Sequence, residues 1–172
     1  MKILLLQGAN MVALGKRQPE LYGTTTAAEL DALLLNEAKS LGVTLDIRYT
    51  NVEGEAIDWI YQADAAGTSG LLFNPAGFVY AGYALRDCLK AVKLPRIEVH
   101  MTNLERRGMH SVTASAADGM ITGLGIDSYV HGLRALVRLI SVQSKSVRSK
   151  PVQSKPTRLI REKQKMKGRQ AK

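Results

Sequence analysis

A chain of 172 residues, 45% hydrophobic and 23% charged, is long enough for one domain with a hydrophobic core and too short for two ordinary domains. The apolar run Ile3–Leu6 stops at Gln7, and no stretch contains the roughly 18 apolar residues that a membrane helix needs. The single cysteine, Cys88, excludes an internal disulfide and is typical of a reducing compartment, so we expect a cytoplasmic protein that does not span a membrane.

The net charge of +9 is confined to the C-terminal end. From Ser141 onward there are eleven Lys and Arg residues against one acid, Glu162, which leaves the rest of the chain close to neutral. Three consecutive copies of a five-residue unit make up residues 142–156. A period of five fits neither a helix nor a strand, and the prolines in this stretch break both. We therefore predict a domain of residues 1–141 followed by a basic tail of residues 142–172 without packed structure.

The rest of the chain alternates between short apolar runs and segments with helical spacing. Apolar runs that end at Gly, Pro or Asn predict buried strands, and apolar residues three and four positions apart predict helices. The predicted elements, in chain order, are a strand at 3–6, a loop at 8–23, a helix at 27–41, a strand at 43–49, a helix at 53–66, a strand at 71–73, a helix at 83–92, a strand at 96–100, a strand at 120–125 and a helix at 128–140. This order predicts a three-layer α/β fold, with a central parallel sheet of about five strands and helices on both faces.

Polar side chains follow three of the predicted strands. In parallel sheets of this kind, ligands bind at the carboxyl ends of the strands. The candidates there are Asn10, Arg17 and Tyr22 after the first strand, Asn74 after the third, and Glu98, His100, Thr102 and Asn103 at the end of the fourth.

These residue types suit proton transfer. A nearby guanidinium such as Arg17 favours the phenolate form of a tyrosine, which makes Tyr22 a candidate base. Glu98 and His100 are two residues apart on a strand and therefore lie on one face, where the carboxylate can hold the imidazole in its protonated, acidic form. A base and an acid from separate segments are what an elimination requires, and Asn10 or Asn74 can supply a hydrogen bond to an enolate oxygen.

Each of these residues also has an ordinary structural explanation. Tyr22 can be a packing residue, Asn74 can start a turn, and Glu98 with His100 can form an ion pair at a strand end. The functional prediction depends on their joint placement. The three histidines lack metal-ligand spacing, and the glycine at position 8 begins no nucleotide-binding motif, so we expect neither a metal nor a cofactor.

Five collinear motifs resemble type II 3-dehydroquinate dehydratases, or dehydroquinases. They are Gly8-Ala9-Asn10 with Leu14-Gly15, Arg17 to Gly23, Glu53-Gly54-Glu55 with Ile57 to Ile60, Phe73-Asn74-Pro75 with Ala84 to Asp87, and Pro95 to His100 with Asn103. The resemblance covers residues 1–140. It implies a flavodoxin-like fold, a dodecamer built from trimers, and the cofactor-free loss of water from 3-dehydroquinate to give 3-dehydroshikimate. That reaction occurs both in the shikimate pathway to aromatic amino acids and in quinate catabolism.

The resemblance also implies roles for the matching residues. Tyr22 is the base, activated by Arg17, and Asn10 stabilises the enolate through water. His100, oriented by Glu98, protonates the leaving hydroxyl. The positions expected to bind substrate are Asn74, Tyr80, Asp87, Met101, Thr102 and Arg107, with Asp87 reaching the site of a neighbouring subunit.

The sequence departs from the family pattern where the substrate would be held. Tyr80 stands where the family has a histidine, Gly82 where it has a serine, and the segment after Asn103 is about three residues shorter, with Arg106 or Arg107 as the replacement for an arginine. Three interpretations stay open. They are an active dehydratase, a related lyase or isomerase for another cyclic hydroxy-keto acid, and a non-catalytic homologue whose basic tail binds nucleic acid or another anionic surface. The favoured interpretation of the tail is an extension without a partner.

Overall fold

The structure, a computed structural model, describes residues 1–148. Its strands are β1 (Lys2–Ala9), β2 (Thr44–Tyr49), β3 (Gly70–Ala76), β4 (Arg96–His100) and β5 (Gly119–Thr122). Its α-helices are α1 (Pro19–Tyr22), α2 (Ala27–Ser40), α3 (Glu53–Ala65), α4 (Tyr83–Ala91) and α5 (Asp127–Arg148). Short 3-10 turns lie at Met11–Ala13, Gly77–Tyr80, Glu105–Arg107 and Ala114–Ala116.

The five strands form one parallel sheet in the order β2-β1-β3-β4-β5. Alternate side chains of β1 enter two separate cores, because successive residues of a strand point to opposite faces. Leu5 packs in the core that α2 and α5 cover, and Leu6 packs in the core that α3 and α4 cover. The predicted three-layer α/β architecture is confirmed, and the strand order is that of flavodoxin-like folds.

The order of the strands also decides where a ligand can bind. The chain moves from β1 outward to β2 and then returns to the other side of β1 to form β3. The connections after β1 and β3 therefore leave on opposite faces of the sheet and open a crevice between them. Asn10 follows β1, and Asn74 lies near the end of β3, so both belong to this crevice.

Local sequence explains the ends of α2. The Thr26 hydroxyl accepts a hydrogen bond from the Glu29 N–H, and the Glu29 carboxylate accepts one from the Thr26 N–H at 2.7 Å, which forms a capping box. Gly42 follows the helix with a φ of +67°, a conformation that suits glycine.

Predicted boundaries differ from the structure by one to three residues at several strand ends, and the differences are larger at two other places. The loop predicted at 8–23 contains the single turn α1, and the last helix continues to Arg148 rather than ending near Ile140. Residues 141–148 contain no Pro or Gly, so each residue added to an existing helix gains a hydrogen bond at little further cost. Residues 142–148 of the predicted tail are therefore helical, while the compact part of the chain spans Met1–Val142. The remaining residues of the predicted tail, 149–172, lie outside the described part of the chain. Among residues 1–148, no helix is long and apolar enough to cross a membrane.

Candidate active site

A pocket opens at the carboxyl ends of β1, β3 and β4. It encloses about 620 Å3, including the open space at its mouth. The predicted site residues that line it are Asn10, Arg17, Tyr22, Asn74, Tyr80, His100, Met101, Thr102 and Arg107. The structure thus brings together residues from three separate segments of the chain, 10–22, 74–80 and 100–107.

Glu98 and His100 form a buried pair at one side of the pocket. Glu98 Oε1 lies 2.6 Å from His100 Nε2, and the side chains of the two residues are 0% and 6% exposed. The other carboxylate oxygen, Oε2, accepts a hydrogen bond of 2.7 Å from the Thr113 hydroxyl. Within residues 1–148 nothing hydrogen-bonds to His100 Nδ1, so this is the ring nitrogen that can serve a ligand in the pocket.

Tyr22 also lines the pocket, and two arginines lie close to its ring. Proline at the first position of α1 starts the turn that carries it. Arg107 Nη1 donates to Tyr22 Oη at 3.3 Å and to Thr102 Oγ1 at 2.9 Å. The guanidinium carbons of Arg17 and Arg107 lie 5.8 and 5.7 Å from the centre of the tyrosine ring. Positive charge therefore surrounds the oxygen on which a negative charge forms when the phenol loses its proton.

Asn74 is held in one orientation by two hydrogen bonds. Its Oδ1 accepts from the Ala76 N–H at 2.9 Å, and its Nδ2 donates to Tyr129 Oη at 2.7 Å. The Tyr129 hydroxyl in turn donates to Gln7 Oε1 at 2.7 Å. The second N–H of the amide donates to Met11 Sδ, with Nδ2 and Sδ 3.6 Å apart, so a ligand oxygen that accepts from Asn74 would replace this weak hydrogen bond.

Burial keeps the Tyr129 hydroxyl in its protonated form. The side chain is fully buried, and this burial raises the pKa of Tyr129 far above its usual value. The hydroxyl therefore remains both a donor to Gln7 and an acceptor from Asn74 at every pH at which the protein is folded. This buried chain of hydrogen bonds connects the pocket to the centre of the sheet.

The backbone is strained or tightly packed at two positions beside the pocket. Asn10 has a left-handed conformation, with a φ of +74°, and its N–H donates to Asn51 Oδ1 at 2.7 Å. Ala76 has a φ of +46° and a ψ of −113°, a conformation that costs a residue with a Cβ atom about 1–3 kcal/mol. A Cβ on Gly77 would lie 3.3 Å from Asn10 Nδ2, so the glycine leaves room for the asparagine side chain.

The wall of the pocket at Tyr80 is mainly apolar. The Tyr80 side chain is 66% exposed, and its hydroxyl lies 3.9 Å from Met109 Sδ. Val79 and Leu104 complete this wall. It offers a ligand one phenolic hydroxyl and otherwise apolar contacts.

Three predicted residues are placed differently from the rest. Glu98 lies behind His100 rather than at the pocket surface, and Asp87 is exposed and outside the pocket, with Arg86 Nη2 at 3.5 Å. Of the two candidate arginines, Arg107 lines the pocket, whereas Arg106 is exposed. Sequence reasoning missed Thr113, Tyr129 and Gln7, whose partners in the site are 15 or more positions away in the chain, and it missed Ser111, which reaches the site only through Thr113.

Comparisons with known proteins identify the family. The sequence model of the family described as dehydroquinase class II matches residues 1–137. The chain is 41% identical over 143 residues to a 3-dehydroquinate dehydratase from Thermus thermophilus, which covers 81% of this chain and 96% of that protein. A 3-dehydroquinate dehydratase from Idiomarina loihiensis is 42% identical over 143 residues and covers 81% of this chain and 94% of its own. The chain belongs to the class II dehydroquinases.

Solved structures agree with this membership. A type II dehydroquinase from Butyrivibrio crossotus matches with a TM-score of 0.75 and 34% identity, over 79% of this chain and 97% of that one. A protein from Bifidobacterium longum, described as 3-dehydroquinate dehydratase-like, matches with a TM-score of 0.62 and 30% identity, over 82% and 98%. As a class II dehydroquinase, the chain has the flavodoxin-like fold that the resemblance implied.

Proposed function

We propose that this dehydroquinase removes water from 3-dehydroquinate to give 3-dehydroshikimate, using its own side chains for both proton transfers. The observation that carries the proposal is that Tyr22 and His100 line one pocket, and that Glu98 hydrogen-bonds to His100 from behind. The relatives named 3-dehydroquinate dehydratase, each covered over more than 90% of its length, support the same reaction.

In this mechanism the Tyr22 phenolate takes the proton next to the substrate ketone. The electron pair of that C–H bond forms an enolate, and Asn10 stabilises its oxygen through a hydrogen bond. His100 gives its Nδ1 proton to the leaving hydroxyl, so the C–O bond breaks and water departs. Glu98, which holds Nε2, balances the charge of the imidazolium before the transfer. Return of the proton from Tyr22 to His100 restores the enzyme.

The remaining pocket residues are proposed to hold the substrate. Asn74 donates to a substrate oxygen, and the segment at Met101 and Thr102 binds the carboxylate. Arg107 is positively charged and reaches both Tyr22 and Thr102, so it can steer an anionic substrate toward the base.

Turnover of 3-dehydroquinate tests the proposal. The conjugated enone of the product absorbs in the ultraviolet, so purified protein is expected to produce a steady rise in absorbance. Tyr22→Phe and His100→Asn are each expected to reduce kcat by at least 100-fold, because each removes a proton-transfer group. Tyr83→Phe is the control, since Tyr83 is outside the pocket. Absence of turnover above background, or equal rates for Tyr22→Phe and the unchanged protein, contradicts the proposal.

A second candidate function is elimination from a different cyclic hydroxy-keto acid. The Tyr80 wall favours it, because a phenol and apolar groups bind hydroxyls differently from a histidine and a serine. The dehydratase-like description of the Bifidobacterium longum structure is compatible with such divergence. Profiling related hydroxy-keto acids at saturating concentration tests it. If the KM for 3-dehydroquinate is in the range usual for enzymes and does not change in Tyr80→His, the result counts against this second function.

Assembly, location and the tail belong to the same proposal. We propose a dodecamer built from trimers in which Asp87 reaches a neighbouring subunit's site, a cytoplasmic location, and a domain of residues 1–141 that carries the activity. Light scattering measures the assembly, and Asp87→Asn is expected to lower activity without unfolding the subunit. For the tail we favour no nucleic-acid partner. Removal of residues 149–172, which keeps α5 whole, is therefore expected to leave salt-dependent DNA binding unchanged.

A further inference from the structure

We propose that Thr113 is a positioning residue for the acid of this site: its hydroxyl holds the Glu98 carboxylate in place, and through Glu98 it fixes the ring of His100. The inference rests on the proposed function, because it assigns His100 the role of proton donor. It adds a residue that lies 13 positions beyond His100, outside the motifs by which the family is recognised.

The hydrogen bonds around Glu98 have only one consistent direction. Glu98 Oε1 faces His100 at 2.6 Å, and Oε2 accepts from Thr113 at 2.7 Å. Because Thr113 gives its hydrogen to the carboxylate, the Ser111 hydroxyl, 3.0 Å away, donates to Thr113 Oγ1. The result is a chain of donors from Ser111 through Thr113 and Glu98 to His100.

The residues that hydrogen-bond around Glu98 are buried, so the loss of one donor is not compensated by solvent. Glu98 and Thr113 are 0% exposed, and Ser111 is 3% exposed, so water does not replace a lost donor. Among the described residues, His100 and Thr113 are the only side chains that hydrogen-bond to the Glu98 carboxylate. Without the threonine hydroxyl, one oxygen of a buried anion is unpaired, and the carboxylate binds the proton of the imidazolium more tightly.

The backbone keeps the Thr113 hydroxyl in register with Glu98. Val112 N–H donates to Val79 O at 3.2 Å, which attaches the segment to the pocket wall. Ala116 N–H donates to Thr113 O at 2.9 Å, and Arg96 Nε donates to Ala116 O at 2.6 Å, which ties the following turn to β4. The same strand carries Glu98, so the threonine and the carboxylate are held by one rigid unit.

Thr113→Val is the test, because valine keeps the shape and removes the hydroxyl. Loss of a hydrogen bond to a charged group corresponds to about a 10- to 100-fold fall in kcat, and KM is expected to stay within about twofold. Thr113→Ser is expected to recover most of kcat. Thr68→Val is the matched control. Thr68 is also buried, but it precedes the amino end of the central strand β3, whereas the pocket lies at the carboxyl ends of the strands, so the rate of this variant is expected to be unchanged.

A second measurement separates positioning from a general loss of structure. The His100 ring signals, assigned by comparison with His100→Asn, are followed by NMR as the pH is changed. In Thr113→Val the titration midpoint of His100 is expected to rise by about 0.5 or more, because deprotonation leaves a less well stabilised carboxylate. The other ionisable groups that line the pocket, Arg17, Tyr22, Tyr80 and Arg107, are unchanged in the variant.

These outcomes can overturn the inference. A Thr113→Val protein with native circular dichroism, unchanged kcat and an unchanged His100 midpoint refutes it, and so does a fall in kcat that Thr113→Ser does not recover. If Thr113→Val does not fold, Ser111→Ala takes its place, because it removes the next donor in the series of hydrogen bonds. This variant is expected to raise the titration midpoint of His100 by a smaller amount, and an unchanged midpoint refutes the inference. If the unchanged protein does not dehydrate 3-dehydroquinate, the proposed function fails, whereas the NMR titration still tests the link from Thr113 to His100.

Discussion

Replacement of Tyr129 by phenylalanine removes one oxygen atom from the centre of the protein and two hydrogen bonds with it. The hydroxyl accepts from Asn74 Nδ2 and donates to Gln7 Oε1, both at 2.7 Å. Phenylalanine keeps the ring, so the packing of α5 against the sheet is unchanged. The variant therefore isolates the polar contribution of a buried tyrosine, together with its effect on the orientation of Asn74.

The expected loss of stability follows from the groups that are left unpaired. Gln7 is 0% and Asn74 4% exposed, so neither regains its hydrogen bond from water. Each unpaired buried group costs about 1–3 kcal/mol, and we expect a loss of about 3 kcal/mol in the free energy of unfolding. For a chain of this size that corresponds to a fall in Tm of roughly 6–12 °C. KM is expected to rise, because Asn74 loses the bond that aims its amide.

Chemical and thermal unfolding, with steady-state kinetics on the same samples, measure these effects. Tyr83→Phe is the control, since the Tyr83 side chain is exposed and its hydroxyl makes no hydrogen bond within residues 1–148. Its Tm is expected to stay within about 2 °C, which corresponds to about 0.5 kcal/mol. A Tyr129→Phe protein as stable as this control, with an unchanged KM, refutes the reasoning.

Two further predictions concern stability. Ala76→Gly relieves the positive φ of +46° and is expected to raise Tm by about 1–4 °C. The control is Ala81→Gly, in the same loop at a φ of −146°, which is expected to lower Tm; equal Tm shifts in the two variants would show that the backbone at Ala76 is not strained. The Arg48 guanidinium, which donates to Asp46 at 3.0 Å, lowers the pKa of Asp46. A lowered carboxyl pKa stabilises the fold above pH ~4, and the contribution is lost as pH falls through the native pKa. Asp46→Asn is thus expected to lower the free energy of unfolding in urea by about 0.5 kcal/mol at pH ~7 and to leave it unchanged near pH ~2.5. A loss of stability that persists at the lower pH contradicts this prediction.

The sheet could be predicted from the sequence because its strands are buried on both faces. The runs at Ile3–Leu6 and Leu71–Phe73 are continuous, and both strands lie in the middle of the sheet. The pairing of Glu98 with His100 was predictable for a similar reason, since residues two apart on a strand share a face. Local spacing alone was therefore enough to predict that the Glu98 and His100 side chains lie together.

Other contacts in the site could not be predicted from local sequence patterns. Tyr129 hydrogen-bonds to Gln7 across 122 positions of sequence, and Arg107 reaches Tyr22 across 85. Such contacts depend on the packing of α5 and of the segment after β4, which periodicity does not describe. The end of α5 was misjudged because the five-residue repeat hid a stretch that is compatible with a helix as far as Arg148.

The segment from Leu104 to Thr113 contacts Tyr22 through Arg107 and Glu98 through Thr113. Between these anchors, Gly108 and His110 are exposed, and a Cβ on Gly108 would meet nothing within 4 Å. Insertions and deletions between the anchors can therefore occur without displacing either proton-transfer group. Residue 108 is therefore a suitable point for grafting a peptide or a fluorescent label.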